Sequence, residues 1–515
     1  MSAPRPWPEQ APSPPARTFT ELLQALHAQA PAAPALSWRD PGTDRTWHTL
    51  DRAELIGRVS ACAARLALDH RVRAGDRVAW LGHNHPAVIV LLFALARLGA
   101  LLVPLNHRLA PAEWRSVLAD CAPRLLLHDD ALAEAAQALG TAGPAVVQWH
   151  AFMGDRAEGS PPPAKPRPGA PEDPLLLVYT SGTTGQPKAA VHTQANLLAN
   201  MAIAAQVQAL GADDSVLTVL PLFHVGGLCI QTLPALSVGA HVHLFSRFDA
   251  TATLRSIAHD RHTLTLQVPA TLQALTGHPD WPTTDLSSLR AVWAGSSLLP
   301  AAALAAFHQR GVPVCNVYGS TETGPFSIAL PPEHAIGHAG SCGWPAPGVD
   351  MQLVDAQGAV VPHGAVGELC VRGPNVVARY WPDRGALDAE GFFHSGDLAR
   401  QAPDGSVTVV GRAKDMIISG GENIYPAEIE QLIAQHPAVA ECSVLGQPDA
   451  RWGEVAVAVV VLREPASGDG WAAPLQAWLD GRLARYKWPR RWVQVDALPR
   501  TALGKVQKVA LQQLI

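Results

Sequence analysis

LLLVYTSGTTGQPK, Leu175 to Lys188, runs from an apolar strand straight into a hydroxyl-rich turn. Leu175, Leu176, Leu177 and Val178 form the short apolar run of a buried strand, which Tyr179 is expected to end. Thr180, Ser181, Thr183 and Thr184 then offer side-chain donors. Gly182 and Gly185 let the backbone turn and bring its N–H groups close to a ligand. Lys188 adds a fixed positive charge. Donors and one cation at a strand end suit a polyphosphate, because charge-assisted bonds to phosphate oxygen are about twice as strong as neutral ones. The Walker pattern does not apply, since Gln186 and Pro187 separate Gly185 from Lys188. An ordinary P-loop kinase or ATPase is therefore excluded.

Outward from this stretch, the texture is that of an α/β enzyme. A chain of 515 residues exceeds one hydrophobic core, so two or more domains are expected. Only 16% of residues are charged and the formal net charge is −5, which argues against partners such as nucleic acid or an anionic membrane. Seven cysteines are scattered without a CxxC pair and read as reduced, packed thiols of a cytoplasmic protein. His334 and His338 have HxxxH spacing, but Pro331, Pro332 and Gly337 oppose the helix that would align them on a metal.

Residues 1–18 hold six prolines and no apolar core of a signal peptide, so a disordered tail is expected. Helical spacing follows at Thr18 to Ala28, and a hairpin around Asp40. Asp51 caps a further helix. The run Pro86 to Pro104 is interrupted by Arg97 and reads as a buried helix and a strand rather than a membrane span. Strand and helix then alternate, which predicts a doubly wound α/β domain of mixed sheets. Residues 155–174 are a Pro-rich connector. From Met351 short strands and turns predict a small antiparallel unit, and a fresh helix starts at Pro426. The expected division is a tail at 1–18, a large N-terminal domain at 19–413 and a small α+β C-terminal domain at 414–515.

Several further segments place glycine, hydroxyls and isolated ionisable residues where strands should end. They are PLFHVGG from Pro221, AGSS from Ala294, NVYGSTETG from Asn316, FHSGDL from Phe393, GRAKDMIISGGENIYP from Gly411 and PRTALGK from Pro499. In this order they resemble the adenylate-forming superfamily of acyl- and aryl-CoA synthetases, peptide-synthetase adenylation domains and beetle luciferases. The resemblance extends from residue 40 to the C-terminus. It implies that a carboxylic acid and ATP, with Mg2+, give an acyl-adenylate, and that a thiol then takes the acyl group.

The resemblance also assigns residues. Thr180 to Gly185 (Thr180, Ser181, Gly182, Thr183, Thr184, Gly185) and Lys188 match the loop for the β- and γ-phosphates. Thr184, Glu322 and Lys505 match catalytic positions, with Glu322 the Mg2+ ligand and Lys505 the lysine that reaches the α-phosphate. Tyr318 lies against adenine with Ala294 and Gly295, and Gly319, Ser320 and Thr321 continue the nucleotide segment. Asp397 corresponds to the ribose acceptor, assisted by Arg412. His224, Gly226 and Gly227 correspond to the mouth of the acyl pocket. Gly420, Gly421 and Trp452 resemble the pantetheine path of coenzyme A, with Arg485 and Arg491 able to hold its phosphates among Arg482, Lys487 and Arg490. Lys414 matches the pivot of a mobile C-terminal domain. Between Ala294 and Gly324 only Arg310, Glu322 and His308 can carry charge, so a second carboxylate on the acid would lack a partner and a neutral fatty or aromatic tail is expected. Loading of a carrier protein and a catalytically inactive nucleotide sensor remain as alternatives. A dinucleotide oxidoreductase, suggested only by Gly468-Asp-Gly, is discarded because no strand precedes it. Chain length of the acid and oligomeric state, a homodimer included, are not legible.

Overall fold

The computed structural model describes residues 5–43, 46–140, 143–154, 169–180, 188–295, 299–419, 422–449, 451–466, 470–501 and 505–515. They divide into two compact units. The first comprises 4–351 with 371–393, and the second 352–370 with 394–515.

Two large sheets organise the first unit. In one, six strands from Pro34–Arg39, His241–Phe245, Ser215–Thr218, Leu264–Gln267, Ala291–Gly295 and Val314–Tyr318 run parallel, and antiparallel strands close both edges to make nine. The other has eight strands, with a parallel centre at Arg77–Leu81, Leu101–Leu105, Leu125–His128, Ala145–Gln148 and Pro174–Thr180. Central strands such as Leu101–Leu105 are buried along their whole length, as parallel strands covered on both faces must be. This is the mixed, doubly wound arrangement expected.

Local chemistry sets the element ends. Asp51 and Glu54 form a reciprocal capping box, each side chain bonded to the other's backbone N–H (2.7 and 3.0 Å), an arrangement worth about 1 kcal/mol. The apolar helix Pro86–Leu98 has proline in its first turn and ends on Gly99 in the left-handed region. Pro86 through Ala96 are all buried in protein. Among the described residues no helix is long and apolar enough to cross a membrane. Residues 5–18, where a disordered tail is expected, are anchored: Trp7 Nε1 donates to Pro345 O (2.6 Å) and Gly348 N to Glu9 O (2.8 Å). An indole that places its N–H on a carbonyl helps to offset the chain entropy, which the prolines keep small.

The second unit has a four-stranded sheet of Asp350–Val354, Val366–Arg372, Phe393–Gln401 and Val407–Arg412, and a five-stranded sheet around the long pair Val439–Asp449 and Gly453–Leu462. The helix Pro426–Ala434 packs Ile429 and Ile433 against that pair. The cysteines are all outside disulfides, and six of the seven are buried.

Candidate active site

The strand that opens on the phosphate loop runs one residue further than expected, from Pro174 to Thr180. It pairs in parallel with Leu101–Leu105 on one side and antiparallel with Lys188–Thr193 on the other. The register sets Thr180 opposite Lys188, and Thr180 Oγ1 donates to Lys188 O (3.3 Å). The segment Ser181, Gly182, Thr183, Thr184 and Gly185 lies outside the described residues. Its flanks are two strands of one hairpin, so among the described residues no helix N-terminus adjoins it.

Lys188 and Glu322 meet at a residue that sequence reasoning missed. Tyr380 Oη donates to Glu322 Oε1 (2.9 Å), and the Lys188 ammonium stands over the Tyr380 ring at 5.8 Å. Burial first, and then the Glu322 carboxylate, push the Tyr380 phenol above its ordinary range, so it acts as a donor. Tyr380 lies on a two-residue strand paired with Ala190, one strand in from the sheet edge. Its side chain is 58 residues from Glu322 along the chain, and the only sequence signal was an aromatic residue in a short extended run.

The segment from Tyr318 to Gly324 is held from several directions. Ser320 N donates to Thr323 Oγ1 (2.9 Å), and Glu322 O accepts from Val377 N (2.8 Å). Buried Asn375 donates to Thr323 O (2.7 Å). A side chain at Gly319 would run into Pro325 O, so only glycine permits the close backbone approach. Tyr318, Ala294 and Gly295 sit at the ends of adjacent parallel strands, with Gly295 opposite Val317. Thr321 is buried. A carboxylate fixed by a phenol on a rigid turn offers the hard oxygen that suits Mg2+.

At PLFHVGG, His224 precedes one helical turn and its Nδ1 accepts from Gly226 N (3.0 Å). A side chain at Gly227 would strike Pro221 O. The room Gly227 saves is therefore taken by backbone. The other ionisable residues of 294–324 are engaged elsewhere: Arg310 donates to Trp281 O (2.5 Å) and to Thr284 O, and His308 Nε2 accepts from Val314 N (3.2 Å).

In the second unit Asp397 and Arg412 come together as expected. They are cross-strand partners, with Arg412 Nε 2.6 Å from Asp397 Oδ1, and Asp397 is 7% exposed. Lys414 is exposed in the single turn Ala413–Asp415, and Asp415 pairs with Lys508 (3.3 Å). Lys505 is exposed; its N donates to Thr501 Oγ1 (3.2 Å) and its O accepts from Thr501 N (2.7 Å).

The coenzyme A set is only partly assembled. Trp452 lies between the guanidinium groups of Arg451 (4.9 Å) and Arg490 (4.6 Å). Arg485 is exposed over Trp488 and near Asp480, whereas Arg491 donates to Ile515 O (2.8 Å). Lys487 is neutralised by Glu428 (2.7 Å). Gly420 and Gly421 lie outside the described residues. His334 and His338 both pack on Trp344.

The chain matches the AMP-binding enzyme family over residues 23–381 and the AMP-binding enzyme C-terminal domain over 428–505. It is 46% identical over 484 residues to an indoleacetate–CoA ligase of Aromatoleum aromaticum, covering 90% of this chain and 93% of that protein. Identity to a feruloyl-CoA synthase of an Amycolatopsis species is 42%, over 92% and 94% of the two chains. Among solved structures, an o-succinylbenzoate coenzyme A synthetase of Bacillus subtilis in complex with ATP and magnesium ion superposes with a TM-score of 0.84 at 31% identity, covering 95% of this chain and 99% of that one. With two family domains in order over most of its length, the chain belongs to the AMP-binding enzyme family of adenylate-forming ligases and is an acyl-CoA synthetase of the AMP-forming type.

Proposed function

We propose that the acid this ligase activates carries an uncharged aromatic ring, and that coenzyme A is the acceptor. The observation that carries this reading is that the described residues of 294–324 offer no available charge for a second carboxylate: Arg310 and His308 are bound to the fold and Glu322 is bound to Tyr380. A buried carboxylate on the tail would then cost several kcal/mol of uncompensated desolvation, roughly. The indoleacetate and feruloyl ligases that the chain resembles act on ring-bearing acids.

In this reading Lys188 and the hydroxyls of 180–184 receive the β- and γ-phosphates. Tyr318, with Ala294 and Gly295, borders the adenine, and Gly319, Ser320 and Thr321 form the turn beside it. Asp397 accepts the ribose hydroxyls while Arg412 orients it. Glu322 holds Mg2+, which neutralises phosphate charge when bound. Carboxylate attack on the α-phosphate brings two anions together, and Lys505 supplies the cation that offsets the growing charge. His224 and Gly226 border the acid. Rotation about Lys414 exchanges Lys505 for the coenzyme A side of the C-terminal domain, where Trp452 lines the pantetheine path and arginines such as Arg485 and Arg491 meet the nucleotide phosphates. The protein works in the cytoplasm.

The test is a panel of carboxylic acids scored for AMP release with and without coenzyme A. Arylacetic and cinnamic acids should give coenzyme-dependent AMP release, and dicarboxylic acids none. Equal turnover of a dicarboxylate, or AMP release that coenzyme A does not change while a carrier protein does, would overturn it.

A further inference from the structure

On the second unit, well apart in sequence from every residue assigned above except the Asp397 turn, three different metal-ligating side chains converge. Glu368 and Cys370 are two apart on the strand Val366–Arg372, and His394 lies on the neighbouring strand Phe393–Gln401. Residues two apart share one face of a strand, so the sheet itself sets the grouping. One ligand atom from each lies within 4.8 Å of the other two. Cys370 Sγ is 3.4 Å from His394 Nδ1, and that same nitrogen is 3.2 Å from Glu368 Oε2.

A tetrahedral Zn2+ with bonds of about 2.3 Å to sulfur and about 2.0–2.1 Å to nitrogen and oxygen has ligand–ligand edges of about 3.5 Å for S···N and about 3.3 Å for N···O. The S···N and N···O separations fall within about 0.1 Å of these edges, and the S···O separation is within 4.8 Å. Without a metal, Nδ1 can serve only one of these partners at a time, the thiol turning to Glu368 O (3.8 Å) when the ring donates to the carboxylate; a cation on the thiolate, imidazole and carboxylate holds all three in one arrangement. Cys370 is fully buried, while the His394 side chain is 44% and the Glu368 side chain 27% exposed. The cluster is therefore open on the His394 side, where a fourth ligand from solvent would complete the tetrahedron.

We propose that Glu368, Cys370 and His394 form a site for a thiophilic divalent cation, Zn2+ by the chemistry of the set, distinct from the Mg2+ site at Glu322. A thiolate selects soft metals over Mg2+, and binding releases the Cys370 thiol proton to solvent. The cation ties two strands together next to the Asp397 turn. Glu368 Oε1 already accepts from Gly396 N (2.9 Å), and Ser395 Oγ donates to Leu369 O (2.6 Å) while accepting from Asp397 N (3.0 Å). The site thus acts as a strand clamp for the turn.

The experiment titrates the metal-free full-length protein with Zn2+ and, separately, with Co2+ as a spectroscopic probe. One equivalent of Co2+ should give intense visible bands of a four-coordinate centre and a thiolate-to-cobalt charge-transfer band, and Zn2+ should displace it and raise the unfolding midpoint. Excess Mg2+ should not. Cys370→Ser should remove the charge-transfer band and weaken Zn2+ by more than roughly tenfold. His394→Gln, at an exposed position, should weaken Zn2+ similarly, and keeps the test decisive if the buried serine variant fails to fold. A charge-transfer band that survives in Cys370→Ser, non-saturating Zn2+ binding, or unchanged affinity in a folded His394→Gln protein would each overturn the proposal.

Discussion

Glu322 stands out in the chain as an isolated carboxylate in a neutral turn, but the residue bonded to it does not. Tyr380 bonds the carboxylate through its hydroxyl and presents its ring face to Lys188. A hydrogen bond to a charged group contributes about 1.5–3 kcal/mol, and loss of such an outer partner typically lowers metal affinity by about 10–100-fold. Tyr380→Phe keeps the ring and removes only the donor. The Mg2+ concentration for half-maximal adenylation should rise by roughly tenfold, with the KM for coenzyme A unchanged. Glu322→Gln should shift it further, because the amide lacks the charge that holds a hard cation. If Tyr380→Phe lowers the unfolding midpoint but leaves the Mg2+ titration where it was, the tyrosine supports the fold and not the metal ligand.

At the scale of elements, Lys414 sits in a turn whose surroundings bear on the hinge assigned to it. The strand Val407–Arg412 contacts the helix Pro426–Ala434, and Asp415 pairs with Lys508. A rotation about Lys414 has to part the first of these contacts, which is slight beside the continuous ladder that binds Val439–Asp449 to Gly453–Leu462, whereas Asp415 and Lys508 both lie beyond the pivot and move together. Proline fixes φ near −65°, within the range of the short 3-10 turn seen at 413–415. Lys414→Pro should hold this turn and oppose the other. Pyrophosphate exchange should stay within about twofold of the parent, while thioester formation should slow by at least about tenfold, a barrier increase of only about 1.4 kcal/mol. Equal losses in the two assays would leave Lys414 an ordinary linker residue. Element positions themselves were largely written in the chain: the caps at Asp51 and Thr193 and the apolar runs at 101–105 and 125–128 fall where their local chemistry puts them. Strand order was not, because parallel neighbours such as 34–39 and 241–245 are chosen by long-range packing that no local pattern encodes. The same holds for Tyr380, and for the packing of residues 352–370 with 394–515.

Over the whole molecule there are 21 histidines, and several are buried. Three form one cluster on the nine-stranded sheet. His241 and His243 have ring centroids 3.9 Å apart, and His243 and His262 4.6 Å. Hydroxyls satisfy them: Ser37 meets His241 at 2.8 Å, and Ser215 and Ser256 each meet His262 at 2.8 Å. Burial is the main cause that pushes His241 and His262 down to about 4 and His243 to about 2, and the neighbouring rings add to it for His243. Because these values lie below the unfolded 6.5, the unfolded chain takes up protons first as pH falls. Their contribution is therefore complete above about pH 6.5 and is lost as pH drops towards about 4. A tenfold loss of proton affinity on folding corresponds to about 1.4 kcal/mol, so even that much at each of three rings amounts to about 4 kcal/mol, a large share of a typical 5–15 kcal/mol total. Asp129 and Asp214 are lowered from 3.8, so their loss falls below this window, while Glu430, which burial raises from 4.5, acts there in the opposite sense. Urea unfolding midpoints should fall steeply between pH 6.5 and about 4.5 in the parent. His243→Gln keeps a hydrogen-bonding group of similar size without the titration and should flatten that fall, whatever it costs at pH 7. Parallel pH profiles for parent and variant would mean that the cluster stays neutral, or charges, alike in the folded and unfolded chains.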